Sequence, residues 1–279
     1  MNKTEVKIIA DTIFNRNRVT TFEITLPHII VPEFLTHRMF SRNAASFRAI
    51  PTSKFLKNVQ FTPRKFPKNR PGMSSEEWLE GAREIAANCI WAFGKVSAKV
   101  CTYALSKLGV HKQIANRPVG PYSYTTYVVT SNEFGFNNFF EQRCDRNAQP
   151  EMYELALYMR SKWYESNPQT YPFHIPYSPY SEPGFTNFCE DRREKGGHEW
   201  PYDLVRKIAT ARLARISYLN HGSEVIDYEK DLKLFESLVE KRHMSPFDHI
   251  LEFREYWTKG IYPNWFSYRD EVFAQYQER

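Results

Sequence analysis

The stretch His37-Arg38-Met39-Phe40-Ser41-Arg42-Asn43-Ala44-Ala45-Ser46-Phe47-Arg48 sets the frame for the rest of the chain. It holds three arginines, one histidine, two serines and one asparagine in twelve residues, with no acidic residue among them. Guanidinium forks interleaved with short hydroxyl and amide donors suit a phosphate-rich ligand. A charge-rich loop is ordinarily just a solvated loop. Here the positive charge is unpaired locally, and residues 19–26 upstream alternate Phe22, Ile24 and Leu26 with polar neighbours, as a half-buried strand does. A rigid strand holding a cationic loop is where binding sites concentrate. Between the two, Pro32-Glu33-Phe34-Leu35-Thr36 reads as the first turns of a helix, with Pro32 tolerated near its start. His37 and Arg38 then end that helix, residues 41–48 form a loop, and Pro51 closes the segment.

Composition narrows the classes. The chain has 279 residues, enough for one large domain or two small ones, and 42% of them are hydrophobic. The mean hydropathy is −0.59, and no apolar run reaches the roughly 18 residues of a membrane span. The start of the chain lacks an apolar signal region, which predicts a cytoplasmic protein. A net charge of +6 favours anionic partners, nucleotides or nucleic acid. Aromatic residues reach 16%; most fill cores, and those beside arginines can stack on bases or on a flavin. Cys89, Cys101, Cys144 and Cys189 form no metal-type spacing, so free thiols and no metal site are expected. Cys144 follows Arg143 and is weighed as an activated nucleophile against the plainer reading, a small buried residue.

Further along, residues 6–10 read as a strand, and residues 54–72 as an irregular basic loop broken by Pro63, Pro67 and Pro71. Ser74-Ser75-Glu76-Glu77 carries the signature of a helix start. From there an apolar stripe including Ile85, Ile90, Phe93, Val96 and Val100 keeps a helical period up to Gly109, which predicts core or subunit interface. Residues 122–130 read as a strand, 133–143 as a helix capped by Ser131-Asn132, and 149–166 as a helix. Residues 168–201 read as an irregular insertion, 202–218 and 228–242 as helices, and 250–257 as a strand. Pro32 to Arg38 weakly parallels Pro263-Asn264-Trp265-Phe266-Ser267-Tyr268-Arg269, as two related strand-helix units would.

A second polar cluster gathers Asn132, Asn138, Gln142, Arg143 and Gln149. On a helix, Asn132, Phe136, Phe139 and Arg143 share a face, and amides ending in arginine suit a flat heterocycle. The first cluster resembles the signature of the flavin-dependent thymidylate synthases, an Arg-His-Arg followed by Ser, Asn, Ser and Arg. Here that spacing falls on Thr36, His37, Arg38, Ser41, Asn43, Ser46 and Arg48. Asn138-Phe139, Arg143 and Ala148-Gln149-Pro150-Glu151 resemble the family's second segment. Ala214-Arg215-Ile216-Ser217 and His243-Met244-Ser245-Pro246-Phe247-Asp248-His249 resemble segments that in the family precede the arginine motif; here they follow it, as in a permuted member.

The resemblance implies an α/β (α+β) fold, a twisted, mainly antiparallel sheet with flanking long helices. It implies a single domain over residues 1–279, with the insertion at 168–201 and a displaced segment at 205–269. It implies a homotetramer with sites between subunits, methylating carbon 5 of a pyrimidine deoxynucleotide monophosphate, dUMP to dTMP, with FAD as cofactor and methylenetetrahydrofolate and NADPH as co-substrates. By the same resemblance His37, Arg38, Asn43, Asn132, Asn138, Ser217 and Ser245 contact FAD, and His243 lies towards the folate or substrate. Glu33, Ser46, Arg48 and Arg117 fall on the nucleotide, and Arg143 holds the pyrimidine edge as the catalytic cation. Thr36, Glu33, Ala44 and Ala49 depart from the family's arginine, glutamine, glutamate and tyrosine. These departures leave dCMP as substrate, or a hydroxymethyl product, as alternatives. From another class, a single-strand nucleic-acid binder fits the basic, aromatic composition, and a degenerate member kept as a structural partner is the third reading.

Overall fold

The computed structural model describes residues 4–72, 75–218 and 226–277. β1 (Glu5–Phe14) and β2 (Asn17–Pro27) form an antiparallel hairpin. Its two-residue turn, Asn15-Arg16, has positive φ at both positions (44° and 63°), the handedness that matches strand twist. α1 (Val31–Phe34) follows, then β3 (Ser41–Ala44), α2 (Thr52–Phe55), the long α3 (Ala82–Lys107) and the single turn α4 (Lys112–Ala115). β4 (Tyr124–Asn132) leads into α5 (Glu133–Arg143) and α6 (Pro150–Glu165). The second half carries β5 (Gln169–Thr170), β6 (Phe173–His174), α7 (Phe185–Glu194), α8 (Pro201–Arg215), α9 (Tyr228–Glu240), β7 (Leu251–Phe253), β8 (Trp265–Ser267) and α10 (Tyr268–Gln277). The main sheet has the order β3-β4-β2-β1-β5, antiparallel except for the short β1–β5 pairing; β6-β7-β8 forms a small antiparallel sheet.

Strand alternation puts different chemistry on the two faces of the main sheet. Phe22, Ile24, Leu26, Tyr127 and Val129 point to one side and pack with Phe136 and Phe139 of α5 and with Met152, Leu155 and Met159 of α6. The opposite face is polar, yet buried too. There a hydrogen-bonded chain crosses the sheet: Thr12 Oγ1 to His174 Nδ1 (2.9 Å), His174 Nε2 to Thr21 Oγ1 (2.7 Å), Thr21 to Thr130 (2.5 Å), and Thr130 to His249 Nδ1 (2.7 Å). His174 and His249 are fully buried, and His249 Nε2 has no partner. Beside the chain Val128 packs with Ala209, Leu213, Phe247 and Ile250, so the second half of the molecule caps this face.

Several local expectations give way to tertiary pairing. Residues 41–44 are a strand, not a loop, because Ser41 to Ala44 pair with Thr130 to Tyr127. The long helix starts at Ala82, after Gly81 at φ 59°, and not at 74–77. There Trp78 is held extended by a bridge to Pro67, and Ser74 lies outside the described residues. Residues 168–201 contain β5, β6 and α7 rather than irregular chain alone. The strand expected at 250–257 is only Leu251–Phe253; Trp257 N–H turns back to Arg254 O (3.1 Å). The two parallel heptads do not share a conformation: the first opens in α1, the second in β8 and then α10.

Both buried histidines are held far below the ordinary imidazole range, to about 3, chiefly by burial. The folded state therefore keeps them neutral, whereas the unfolded chain takes up protons below about pH 6.5. Stability is fully present above that value and falls as pH drops from 6.5 towards 3. Urea midpoints across this window should decline and then flatten when His174 and His249 are both replaced by Gln. Thr130→Val, which strands two hydrogen-bond partners, should lower unfolding free energy by about 1–3 kcal/mol.

Candidate functional site

Asn132 stops β4 and caps α5: its Oδ1 accepts the Gly135 N–H (3.0 Å). Eleven residues later the helix ends on Arg143, a cation at the negative end of the helix dipole. Phe136 and Phe139 on the same face are fully buried and fix the helix on the sheet. The Arg143 guanidinium is engaged on three sides by the turn that follows α1. Nε–H donates to His37 Nε2 (2.8 Å), Nη1 pairs with the Glu33 carboxylate, and Nη2 reaches Thr36 Oγ1 (3.3 Å). Thr36 in turn donates to Glu33 O (2.7 Å), closing the turn. Glu33, which stands where a family amide was expected, is thus charge-balanced by Arg143. Five N–H donors on a guanidinium, three of them used, leave two for a ligand.

His37 stands edge-on to Phe139, centroids 4.9 Å apart at 86°. Burial first, then the Arg143 and Arg42 charges, lower its pKa to about 4. The ring is neutral, accepts at Nε2 and therefore carries its proton on Nδ1. Arg42 was not singled out from the sequence; it donates to Leu35 O (2.8 Å) and ties β3 to this turn.

A second group gathers at the β3 edge. Ser245 Oγ donates to Asn43 Oδ1 (2.7 Å), and Asn43 Nδ2 donates to Leu213 O (3.4 Å). Ser217 Oγ donates to Ala44 O (3.2 Å), and Ser46 N–H donates to Ser217 O (3.1 Å). The late segments carrying Ser217 and Ser245 thus meet the arginine-rich stretch in space, at a sequence separation that no local pattern reveals. Tyr262, also missed, seals this edge: its hydroxyl accepts Ser41 N–H (2.9 Å) and lies 2.6 Å from Thr130 O.

A third group surrounds Phe47. Ser46 Oγ accepts the Arg48 N–H (3.2 Å), Arg48 is exposed, and the Arg117 guanidinium lies 5.5 Å from the Phe47 ring centroid. Asn116, fully buried, donates to Phe47 O (3.0 Å) and Ile50 O (3.1 Å) and so shapes this loop. Asn138 Oδ1 accepts from Gln142 Nε2 (3.0 Å), and His243 is exposed just before Ser245. The four cysteines are free, and burial pushes the Cys144 thiol up, away from thiolate character. No helix among the described residues is long and apolar enough to cross a membrane.

Two outcomes follow from the Arg143 cluster. The His37 ring should titrate near pH 4 by proton NMR, against about 6.5 for an exposed histidine, and its protonation should release Arg143. Glu33→Ala, which leaves a mostly buried guanidinium without its counter-charge, should lower unfolding free energy by about 1–3 kcal/mol, between surface and buried pairs; urea titration reads it.

Comparison with known proteins adds an independent line. The chain is 28% identical over 167 residues to the flavin-dependent thymidylate synthase of Thermosipho melanesiensis, spanning 57% of this chain and 69% of that one. Among solved structures it is similar to a UMP/dUMP methylase, PolB, from Streptomyces cacaoi. The form bound with 5-Br dUMP gives a TM-score of 0.49 at 15% identity, covering 58% of this chain and 90% of that one. The form bound with 5-Br UMP gives 0.49 at 14% identity, covering 58% and 89%. The family model described as "Thymidylate synthase complementing protein" matches residues 14–169, a span that runs from the end of β1 through Arg143 and α6 to the start of β5, more than half of the chain, and the chain belongs to that family.

Proposed function

We propose that the protein methylates carbon 5 of a pyrimidine deoxynucleotide monophosphate, dUMP in the first instance, using a flavin and a folate one-carbon donor. That it is a methyltransferase of the thymidylate synthase type follows from its family. The observation that carries the finer reading is Arg143, a mostly buried guanidinium held in one orientation by Glu33, Thr36 and His37 with donors to spare. Such a fixed cation can donate hydrogen bonds to a pyrimidine edge and stabilise negative charge on the ring as carbon 5 becomes nucleophilic. The neutral His37 keeps a second positive charge away from that guanidinium.

The residues present suit a flavin dinucleotide in part. Arg38 is exposed and has no hydrogen-bond or ion-pair partner among the described residues. Asn132 and Asn138 use their carbonyl oxygens within α5, which leaves their Nδ2 donors for a ring or ribityl edge. These three would hold the flavin. His37, bonded to Arg143, and Asn43, Ser217 and Ser245, gathered at the β3 edge, would contact it too, and the exposed His243 would lie on the folate or substrate side. When bound, the flavin would carry the one-carbon unit and reducing equivalents from NADPH. Ser46, Arg48 and Arg117, grouped around Phe47, would hold the nucleotide phosphate.

Among the described residues no hydrogen bond, ion pair or ring contact joins Arg143 to the Phe47 group, and a site completed by a second subunit is part of the proposal. The long helix α3 supports it. Ile85, Ile90, Phe93, Val96, Val100 and Tyr103 along it are each more than half exposed, and a run of exposed apolar side chains on one helix marks a protein–protein contact. A homotetramer in the cytoplasm, as the resemblance implies, would cover this face.

Arg143→Ala should abolish turnover while the purified protein stays yellow. Arg48→Ala should chiefly raise the nucleotide Kd; an unchanged value would remove it from the phosphate site. Tritium release from carbon-5-labelled dUMP and dCMP, with mass analysis of the product, identifies the base and the transferred group. Phe93→Glu with Val100→Glu should reduce the assembly in light scattering, and activity with it.

A further inference from the structure

The described residues of the basic, proline-broken stretch, 63–72 and 75–78, are not a loose loop. Lys68 N–H donates to Glu77 O (2.8 Å) and Leu79 N–H to Phe66 O (2.8 Å), closing a narrow hairpin around the Pro67–Trp78 bridge. The Glu77 carboxylate holds Lys68 (3.2 Å) and Arg70 together at its tip. The hairpin is seated on α3: Phe66 meets Trp91 edge-on (6.2 Å, 64°), Trp91 Nε1 donates to Phe61 O (3.2 Å), and Lys95 Nζ donates to Thr62 Oγ1 (2.7 Å). Arg64 reaches across to Glu154 of α6 (3.2 Å).

Between this hairpin and the start of α6 lies a cavity of about 870 Å³. One part of its wall is aromatic, with Phe66, Trp78, Trp91 and Tyr153. The other is cationic, with Lys65, Lys68, Arg70 and, from the far side, Arg146, against the carboxylates Glu76 and Glu151. Lys65 stands 5.5 Å over the Trp78 ring. Arg146 is exposed and has no hydrogen-bond or ion-pair partner among the described residues. Arg146 is three residues beyond Arg143, and Ile29 in the cavity wall is four residues before Glu33, so the cavity borders the elements that carry the candidate site. Its size is at the upper end of the roughly 300–1,000 Å³ of small-molecule sites. Aromatic faces stack planar heterocycles, and lysine and arginine groups bind phosphate or carboxylate.

We propose that this cavity is a binding subsite for an elongated ligand with a planar heteroaromatic end and a polyanionic tail, the ring against Trp78 and Trp91 and the tail on Lys65, Lys68, Arg70 and Arg146. It rests on the methyl-transfer reading for the two sources of that chemistry, a phosphorylated nicotinamide dinucleotide and a folate with a glutamate tail. Trp78 and Arg146 come from different walls, so a ligand bridging them ties the hairpin to the connection between α5 and α6.

The test uses the full-length flavin-loaded protein and the exposed double variant Lys65→Glu/Arg146→Glu, with Trp78→Ala as a second variant. Calorimetric titrations use NADPH, NADH and the triglutamate of 5-formyltetrahydrofolate, at two salt concentrations. The expected result is a Kd raised about tenfold or more by charge reversal, as loss of charge-assisted contacts gives, together with weaker binding at high salt and unchanged flavin content. Loss confined to NADPH assigns the dinucleotide; loss confined to the triglutamate assigns the folate. Equal affinity of wild type and both variants for all three, or no binding of any of them to wild type, overturns the proposal. Tritium release by wild type is read alongside: its absence sinks the methyl-transfer reading, while the titrations still report on the cavity.

Discussion

The polar face of the main sheet is buried, and that constraint organises the molecule. A buried hydroxyl or imidazole without a partner costs about 1–3 kcal/mol, so Thr12, Thr21 and Thr130, from three adjacent strands, need partners above the sheet. His174 and His249 supply them from two segments of the second half. Once His249 is seated on Thr130, the short helical turn before it is fixed, and with it Ser245 against Asn43. The chain of hydrogen bonds is therefore also what delivers the late segments to the arginine-rich stretch.

Strand β4 couples this buried face to the site. Thr130 belongs to the polar chain through its side chain, pairs with Ser41 through its backbone, and receives Tyr262 at its carbonyl. Two residues on, Asn132 ends the strand and starts the helix that terminates in Arg143. The guanidinium's position thus follows from sheet register and a helix length, with Glu33, Thr36 and His37 setting its final orientation. A rigid scaffold with a few converging polar groups is the arrangement that electrostatic stabilisation needs.

Features governed by local chemistry were legible in the sequence. The alternation of Phe22, Ile24 and Leu26, the Asn132 cap and the helical span to Arg143 all stand in the structure. Features governed by distant partners were not. Residues 41–44 carry no strand pattern of their own and become one because β4 offers an edge. The serines and acids at 74–77 look like a helix start, yet the hairpin bridge at Trp78 wins. His174 sits in a proline- and tyrosine-rich stretch that reads as irregular, and only its neighbours across the sheet reveal its role. The Glu33–Arg143 pair joins residues 110 apart, so the acid that stands in place of the family's amide shows itself as a counter-ion only in the fold.

The unpartnered Nε2 of His249 has a consequence for the direction of the whole chain. Orphaned N–H donors are rarer than under-used acceptors in folded proteins, so the proton belongs on Nδ1 and points at Thr130. With the single hydrogen of Thr130 and of Thr21 kept inside the chain, Thr130 donates to Thr21, Thr21 to His174 Nε2, and His174 Nδ1 to Thr12. Five groups from different parts of the sequence share one polarity, set by the tautomer of a single ring at one end. Reversing one link would turn a hydroxyl hydrogen out of the chain with no partner in it, which favours one vectorial unit over four separate bonds.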